Sequence, residues 1–367
     1  MNKKQKRILI ATGGTGGHTF PAYSLAKHFI DNKKVNVEII SDKRGFKYLK
    51  DYHDVKITQI VSSTILKRNL FQFLVSILII FYSIFRSFIF LFMNRPNLIF
   101  GMGGYSSFPV CIAAIVLRIP FIIYENNLHI GKANKYLLPF TNKVFVSYKD
   151  LEGIPEKYRK KVYEIGNIIR KEILNFKIES SSSLVEKKLK ILILGGSQAA
   201  KVFAEKLPKI FKECNNDKIS FKIYQQCLPE QSKFLTSFYK DLNIDFEIFN
   251  FSNNILNYFS KINLAITRSG SSMLAELINS KIPFISVPLP SSADNHQLKN
   301  AIYYEKNGYS YLIEEKDLNT KLFKLIKRIN EDKSLLNKMI TRQRQYSDKS
   351  VYDNIDKQIT KILDEEY

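Results

Sequence analysis

The feature that most narrows what this chain can fold into is a short apolar run that ends in a glycine loop and opens a helix, and it is written twice. Residues 7–12 run into Gly13-Gly14-Thr15-Gly16-Gly17-His18, followed by helical spacing through Pro21, Leu25 and Phe29; 182 positions later, residues 189–194 run into Gly195-Gly196-Ser197-Gln198-Ala199-Ala200, with Phe203 and Leu207 beyond. Strand, glycine loop and helix in that order open an α/β unit, so two openings predict two units. Apolar stretches of strand length recur at 35–40, 98–101, 121–124 and 143–147, and again at 221–225, 246–249, 264–267 and 284–287, each separated by longer segments. That alternation predicts parallel sheets with crossover helices. A length of 367 residues suits two domains, and 45% hydrophobic residues suffice for two cores, which excludes disorder as a global description. Gly166–Arg170 leads into a linker, and Glu179 with Ser180–Ser183 marks polar chain before the second unit.

In open parallel sheets ligands sit at the carboxyl ends of strands, where helix N-termini present unpaired N–H groups and a positive dipole end. Glycine there lets backbone approach phosphate oxygens. Two such loops in matching positions predict a nucleotide or phosphate-bearing ligand in a cleft between the units. Neither loop carries Gly-Lys-Ser/Thr, so phosphate transfer from ATP lacks its lysine. Neither is GxGxxG either, although Asp42 closes a strand where it could meet a ribose, which keeps a nicotinamide oxidoreductase as an alternative.

Further polar groups fall at strand ends: Gly101-Met102-Gly103-Gly104-Tyr105-Ser106-Ser107, then Tyr124-Glu125-Asn126-Asn127, then Arg268-Ser269-Gly270-Ser271-Ser272-Met273-Leu274-Ala275-Glu276, then Asp294-Asn295-His296-Gln297 after Pro288-Leu289-Pro290. GGTGGH at 13–18, GMGGYSS at 101–107, YENN at 124–127, GNIIR at 166–170, GGSQAA at 195–200, RSGSSMLAE at 268–276 and HQLKNA at 296–301 cover both halves of the chain. In their order and spacing they resemble the MurG family of peptidoglycan glycosyltransferases. The resemblance implies an α/β GT-B fold, two Rossmann-like domains with parallel sheets facing across a cleft. It also implies inverting transfer of N-acetylglucosamine from UDP-N-acetylglucosamine to the 4-hydroxyl of undecaprenyl-pyrophosphoryl-muramoyl-pentapeptide, without cofactor or catalytic metal. The expected division is an acceptor-binding, membrane-associating domain over 1–166, a donor domain over 167–345, and a C-terminal helix over 346–367 packing back on the first.

Carried over position by position, the resemblance implies that Ser197 and Gln198 lie at the diphosphate and sugar, with Arg170 neutralising phosphate charge. Backbone at Ser252 would meet the uracil, Glu276 the ribose hydroxyls, and His296 with Gln297 the sugar hydroxyls. Ser272 and Met273, and Thr15, Gly16, Gly17 and Asn127 from the first half, complete the expected donor contacts. Gly14, Thr15, Gly104, Tyr105 and Asn127 would position the acceptor. His18 is the leading base, since its ordinary pKa of about 6.5 leaves it mostly neutral near pH 7; Glu125 is the rival. Arg268, beside a tight turn, reads equally as structural. Five positions in three segments depart from the family pattern: Tyr124 and Asn126 stand where it usually writes His and Gln, Ser271 and Met273 replace a small residue and a threonine, and Ala199 replaces glycine. Alternatives are another GT-B UDP-sugar transferase with a lipid acceptor, or a catalytically weakened scaffold that binds lipid precursors and other cell-wall synthesis proteins.

The net charge of +22 asks for an anionic partner. Residues 1–166 hold +15 of it, and no acidic residue occurs from Val55 to Tyr124. Within that stretch residues 70–93, LFQFLVSILIIFYSIFRSFIFLFM, are long enough to span a bilayer. Arg86 at the bilayer centre would cost roughly 2.5–3.5 kcal/mol, and strands of one sheet lie on both sides in sequence. The expectation is therefore a crossover helix whose surplus apolar face docks on an anionic membrane surface from the cytoplasmic side. Nucleic acid is set aside, because no zinc-finger spacing, RNP aromatics or KH-type loop occurs. Three cysteines without CxxC spacing, Cys111, Cys214 and Cys227, fit a reducing compartment. The basic start at residues 1–7 is followed by too short an apolar run for a secretion signal and reads as a first strand.

Overall fold

The computed structural model describes residues 5–33, 35–62, 69–177, 188–250, 252 and 254–364; the serine run at 180–183 lies outside them. The chain divides into two compact units, Met1–Arg170 with Asp348–Tyr367, and Lys171–Ser347.

The first unit is a seven-stranded sheet in the order β3-β2-β1-β4-β5-β6-β7, with every neighbouring pair parallel. Its strands are β1 (Arg7–Thr12), β2 (Asn36–Asp42), β3 (Lys56–Ile60), β4 (Leu98–Gly101), β5 (Phe121–Glu125), β6 (Lys143–Val146) and β7 (Val162–Glu164). The crossovers include α1 (Gly16–Lys33), α2 (Lys43–Leu49), α3 (Leu70–Asn94), α4 (Gly104–Val116) and α5 (Lys132–Leu137). Continuous apolar runs such as Ile8–Ala11 and Leu98–Phe100 are wholly buried, as a sheet covered on both faces requires. Strand order reverses between β1 and β4, and a crevice opens there at their carboxyl ends. The loops that meet at it are Gly13–Gly17 and Met102–Tyr105.

The second unit is a six-stranded parallel sheet in the order β10-β9-β8-β11-β12-β13. It comprises β8 (Leu189–Leu194), β9 (Phe221–Gln226), β10 (Asp245–Phe249), β11 (Leu264–Thr267), β12 (Phe284–Ser286) and β13 (Tyr311–Leu312). Its helices include α6 (Gly196–Asn216), α7 (Ser232–Asp241), α8 (Ser271–Asn279) and α9 (His296–Lys306). Here the order reverses between β8 and β11, so the loops at Gly195 and Arg268–Gly270 flank the crevice.

The chain leaves the first unit after Arg170 and returns at Asp348, so residues 167–170 fold with the first unit rather than with the second. Hydrogen bonds account for this. Asp348 accepts from Asn167 N at 2.9 Å and from Asn167 Nδ2 at 3.2 Å, and Tyr352 Oη donates to the Ile169 carbonyl at 2.7 Å. The C-terminal helix Val351–Asp364 buries Ile355 and Ile359 in this unit. Tyr352 stacks on His28 at 4.5 Å between ring centroids, and His28 Nε2 lies 3.0 Å from Asp356 Oδ1.

The 25-residue helix α3 inverts the usual distribution of side chains. Its inward stripe is Ser76, Ser83, Ser87 and Leu91, all buried, while Phe71, Leu78, Phe81, Phe85, Phe92 and Met93 are exposed. Ser76 and Ser83 hydroxyls donate to the carbonyls of Gln72 and Ile79 within the helix, each at 2.7 Å, and Ser83 Oγ also lies 2.7 Å from the Val61 carbonyl. By length and composition α3 would cross a membrane, yet β3 before it and β4 after it belong to one sheet. A span would separate those strands.

Candidate functional site

In the first unit the glycine loop is tied from three directions. Asp42, at the end of β2, caps α2 by accepting from Gly45 N at 2.8 Å, and the same oxygen accepts from Gly14 N at 2.9 Å. Its second oxygen accepts from Ser62 Oγ and Arg44 Nε, both at 3.2 Å. Burial pushes the Asp42 carboxyl upward, but the N–H groups of Gly14 and Gly45, the Ser106 hydroxyl and the Arg44 charge outweigh it and hold the pKa below the ordinary carboxylate value. Both oxygens are thus engaged by protein donors, which corrects the ribose role that kept a nicotinamide enzyme open. Gly13 is required by close approach: an added Cβ would lie 2.4 Å from Ser106 Oγ.

His18 sits on the first turn of α1 with its ring against the second glycine loop. A Cβ at Gly103, where φ is +85°, would lie 3.2 Å from His18 Cε1 and Nδ1. His18 Nδ1 lies 3.0 Å from the Met102 carbonyl, which can only accept. Nδ1 is therefore protonated, and in the neutral ring the lone pair lies on Nε2. Thr15 and Tyr105 are exposed beside it, and Gly104 begins α4 at φ +75°.

Glu125 is different. It is 3% exposed, and its carboxylate accepts from Asn127 N at 3.2 Å, Asn127 Nδ2 at 3.0 Å, Gly131 N at 2.9 Å and Asn134 Nδ2 at 3.0 Å. Four donors on two oxygens make it the organiser of the loop after β5. The two asparagines are what sequence reasoning missed as a network: Asn126 Nδ2 donates to the Gly17 carbonyl at 3.0 Å, and Asn127 Nδ2 donates to Asn126 Oδ1 at 3.1 Å.

In the second unit α6 opens at Gly196, whose φ of +65° only glycine adopts readily, and a Cβ there would meet no atom within 4 Å. The side chains of Ser197 and Gln198 lie outside the described residues, as do both neighbours of half-buried Ser252. The turn before α8 is held by Arg268, which is buried, donates to the carbonyls of Val287 and Pro288 at 3.3 and 3.1 Å, pairs with Glu315, and packs its guanidinium 5.0 Å from the Phe203 ring centroid. Its role is structural. Glu276 is buried on α8, with Ser272 and Met273 half-buried one turn earlier. Before α9, Asp294 and Asn295 adopt consecutive left-handed conformations, φ +50° and +54°, which cost roughly 1–2 kcal/mol each and mark a constrained site. They bring His296 and Gln297 to the helix start, where His296 Nδ1 lies 2.7 Å from the Ala293 carbonyl and Gln297 Oε1 accepts from Leu289 N at 3.0 Å. Among the described residues no group of three His, Cys, Asp or Glu side chains could hold a metal ion. Cys111 and Cys214 are buried thiols pushed up to about 12 by desolvation, which makes them poor nucleophiles near neutral pH.

The glycosyltransferase family 28 N-terminal domain matches residues 8–146, and the glycosyltransferase family 28 C-terminal domain matches residues 190–357. The UDP-N-acetylglucosamine--N-acetylmuramyl-(pentapeptide) pyrophosphoryl-undecaprenol N-acetylglucosamine transferase of Pelagibacter ubique is 35% identical over 370 residues, covering 100% of both chains. Its counterpart in Rickettsia bellii is 33% identical over 330 residues, 88% of this chain and 91% of that one. The chain belongs to the MurG family. The crystal structure of Acinetobacter baumannii MurG shares the GT-B fold at a TM-score of 0.76 and 24% identity, over 97% of this chain and 99% of the other.

Within the MurG family this chain's Tyr124 has a structural explanation. It is buried, and its Oη accepts from Ile168 N at 3.0 Å and lies 2.9 Å from Ser147 Oγ. Burial pushes the phenol far above its ordinary pKa, so it stays neutral. The hydroxyl thereby ties the end of β5 to residues 166–170, the segment in which the chain leaves the first unit. The side chain of Ala199 lies outside the described residues.

Proposed function

We infer that this protein transfers N-acetylglucosamine from UDP-N-acetylglucosamine to undecaprenyl-pyrophosphoryl-muramoyl-pentapeptide in peptidoglycan synthesis, with His18 Nε2 as the base. The observation that carries the assignment of the base is the Met102 carbonyl on His18 Nδ1, which fixes the tautomer that can take a proton. In the step, Nε2 removes the proton of the acceptor 4-hydroxyl while that oxygen bonds to the anomeric carbon. The bond from that carbon to the diphosphate oxygen breaks with inversion, and UDP leaves with the electron pair. Charge grows on UDP in the transition state, so fixed donors aimed at it lower the barrier. The N-terminal end of α6, with Ser197, Gln198 and Arg170, supplies such donors. Glu276 accepts the ribose hydroxyls, backbone at Ser252 the uracil, and His296 and Gln297 the sugar. Ser272 and Met273 complete the donor pocket; Thr15, Gly16, Gly17 and Asn127 reach the donor from the first unit. Gly14, Thr15, Gly104, Tyr105 and Asn127 hold the acceptor. On this reading the first unit carries the base, the acceptor contacts and some donor contacts, and the second unit carries the remaining donor contacts.

The enzyme works at the cytoplasmic face of the membrane, docked through α3. Its buried serines and exposed phenylalanines support this: a helix in water gains nothing from that inversion, whereas in lipid each buried Phe is worth about 1.5–3 kcal/mol. The local surplus of Lys and Arg adds about 1 kcal/mol per residue near an anionic surface. The deciding assay offers radiolabelled UDP-N-acetylglucosamine and the lipid acceptor. Labelled disaccharide product with equimolar UDP is expected; donor binding without UDP release would overturn the activity in favour of a scaffold.

A further inference from the structure

We propose that Arg44 is an acceptor-binding residue, whose guanidinium takes the diphosphate of the lipid-linked substrate beside the first glycine loop. The proposal rests on the transfer reaction inferred above. Arg44 lies on the first turn of α2, and that turn is pressed against the loop: an added Cβ at Gly45 would lie 2.4 Å from Ser41 Oγ and 2.7 Å from Gly13 Cα. The side chain is carried to the loop with it. Arg44 Nη2 lies 3.8 Å from where a Cβ of Gly14 would stand.

Asp42 fixes the direction of this side chain without consuming it. Arg44 Nε donates to Asp42 Oδ2 at 3.2 Å, and among the described residues the two terminal amino groups donate to no protein atom. Asp42 has donors enough without them, from Gly14 N, Gly45 N and Ser62 Oγ. Its side chain is 5% exposed and that of Arg44 is 55% exposed, so the carboxylate stands behind and the guanidinium in front. A half-exposed pair of this kind contributes little to stability, whereas a planar fork held from behind and open in front suits two phosphate oxygens. The Gly14 N–H does not compete for that task, because Asp42 holds it. The second glycine loop adds no repelling carboxylate, since no acidic residue occurs from Val55 to Tyr124.

The placement matches the acceptor. Its 4-hydroxyl and its diphosphate lie at opposite ends of one sugar ring, so the base and the phosphate-binding cation must stand apart along one surface. The Gly13 carbonyl and His18 Cδ2 come within 3.8 and 3.6 Å of a Cβ built at Gly104, while Gly14 faces Arg44. Base and guanidinium therefore flank the loop instead of sharing one end of it.

In the full-length protein Arg44→Gln should raise the acceptor KM about ten- to a hundredfold, the scale of a charge-assisted hydrogen bond, with kcat and donor KM within about threefold. Arg44→Lys keeps the charge without the fork and should recover only part of the loss. Lys43→Gln removes the same charge from the neighbouring exposed position and should leave the acceptor KM unchanged; an equal effect there would reduce Arg44 to general surface charge and overturn the proposal. Two acceptors locate the contact: muramoyl-pentapeptide on a short-chain prenyl diphosphate, and the same muramoyl-pentapeptide as a neutral methyl glycoside. The loss should appear with the first and vanish with the second. The same loss with both would assign it to the peptide carboxylates, and weaker binding to phosphatidylglycerol vesicles at unchanged acceptor KM would assign it to a lipid headgroup; either overturns the proposal. Geranyl diphosphate titrated without donor reads anion binding alone, and should bind Arg44→Gln at least tenfold more weakly than the wild type. Equal binding, or none to the wild type, would overturn the proposal, whereas a wild type that binds geranyl diphosphate but transfers no sugar would remove only the functional reading. If Arg44→Gln does not fold, Arg44→Lys in the same titration decides the question.

Discussion

At Gly13 an added methyl group would lie 2.4 Å from Ser106 Oγ and 2.6 Å from Asp42 Oδ1, whereas at Gly196 it would meet no atom within 4 Å. The two loops share a sequence pattern and use the missing side chain in opposite ways. In the first unit glycine lets protein approach protein, and the loop is a rigid mount for His18. In the second, glycine supplies only a backbone conformation, φ +65°, and leaves open space at the N-terminus of a 21-residue helix. Gly270, before α8, is open in the same way. A loop packed against protein and a loop open to space look alike in sequence; they separate only when the neighbours of each glycine are known.

The sharpest test of that contrast is His18→Ala, which should lower kcat by about 10²–10⁴-fold with little change in donor KM. A matching loss of donor affinity, measured by titration with UDP-N-acetylglucosamine, would erase the distinction between the loops. Next in size, Glu276→Ala should raise the donor KM roughly ten- to a hundredfold, as for a lost hydrogen bond to a charged group, and leave single-turnover chemistry at saturating donor nearly intact. Gly13→Ala should destabilise by about 1–3 kcal/mol through overpacking against Ser106 and Asp42. Gly196→Ala should cost only about 1–2 kcal/mol of left-handed strain, so denaturant melts of the two variants compare the loops directly. The smallest effect concerns pH. Asp42 has a folded pKa below its ordinary value, so its contribution is present above about pH 4 and is lost as pH falls through the depressed value. The wild type should therefore lose more thermal stability than Asp42→Asn between about pH 5 and 3; parallel curves would show that the carboxylate does not brace the first loop. Independently of both loops, Phe81→Ser with Phe85→Ser, at side chains 66% and 60% exposed, should weaken binding to phosphatidylglycerol vesicles by tenfold or more while sparing transfer to a short-chain soluble acceptor.

The interior of both sheets was legible because buried strands are continuous apolar runs: Leu98–Gly101 and Leu264–Thr267 fall where the residues alone put them. The strands not anticipated are β3, β7 and β13, and all three are sheet edges. An edge strand is short or half exposed, as in Lys56–Ile60 and the two residues of β13, so its apolar signal is weak. The same limit applies to side chains. Asp42 and Glu125 are acidic residues at strand ends, a pattern shared by ligand-binding and loop-bracing carboxylates. Only the count of donors around each, Gly14, Gly45, Ser62 and Arg44 for one, Asn127, Gly131 and Asn134 for the other, assigns them to bracing. Asn126 was hidden for another reason: its partner is a backbone carbonyl 109 positions away in sequence.

The helix Val351–Asp364 belongs to the first unit although it is translated after the whole of the second. At synthesis rates of roughly 5–20 residues per second, the ribosome spends about ten to thirty-five seconds on Lys171–Ser347 before that helix exists. Throughout that interval the Ile169 carbonyl and the His28 imidazole await Tyr352 and Asp356, the groups that will pair with them. Nascent chains of this protein should accordingly acquire their second unit in finished form first, with the unit begun earliest maturing last.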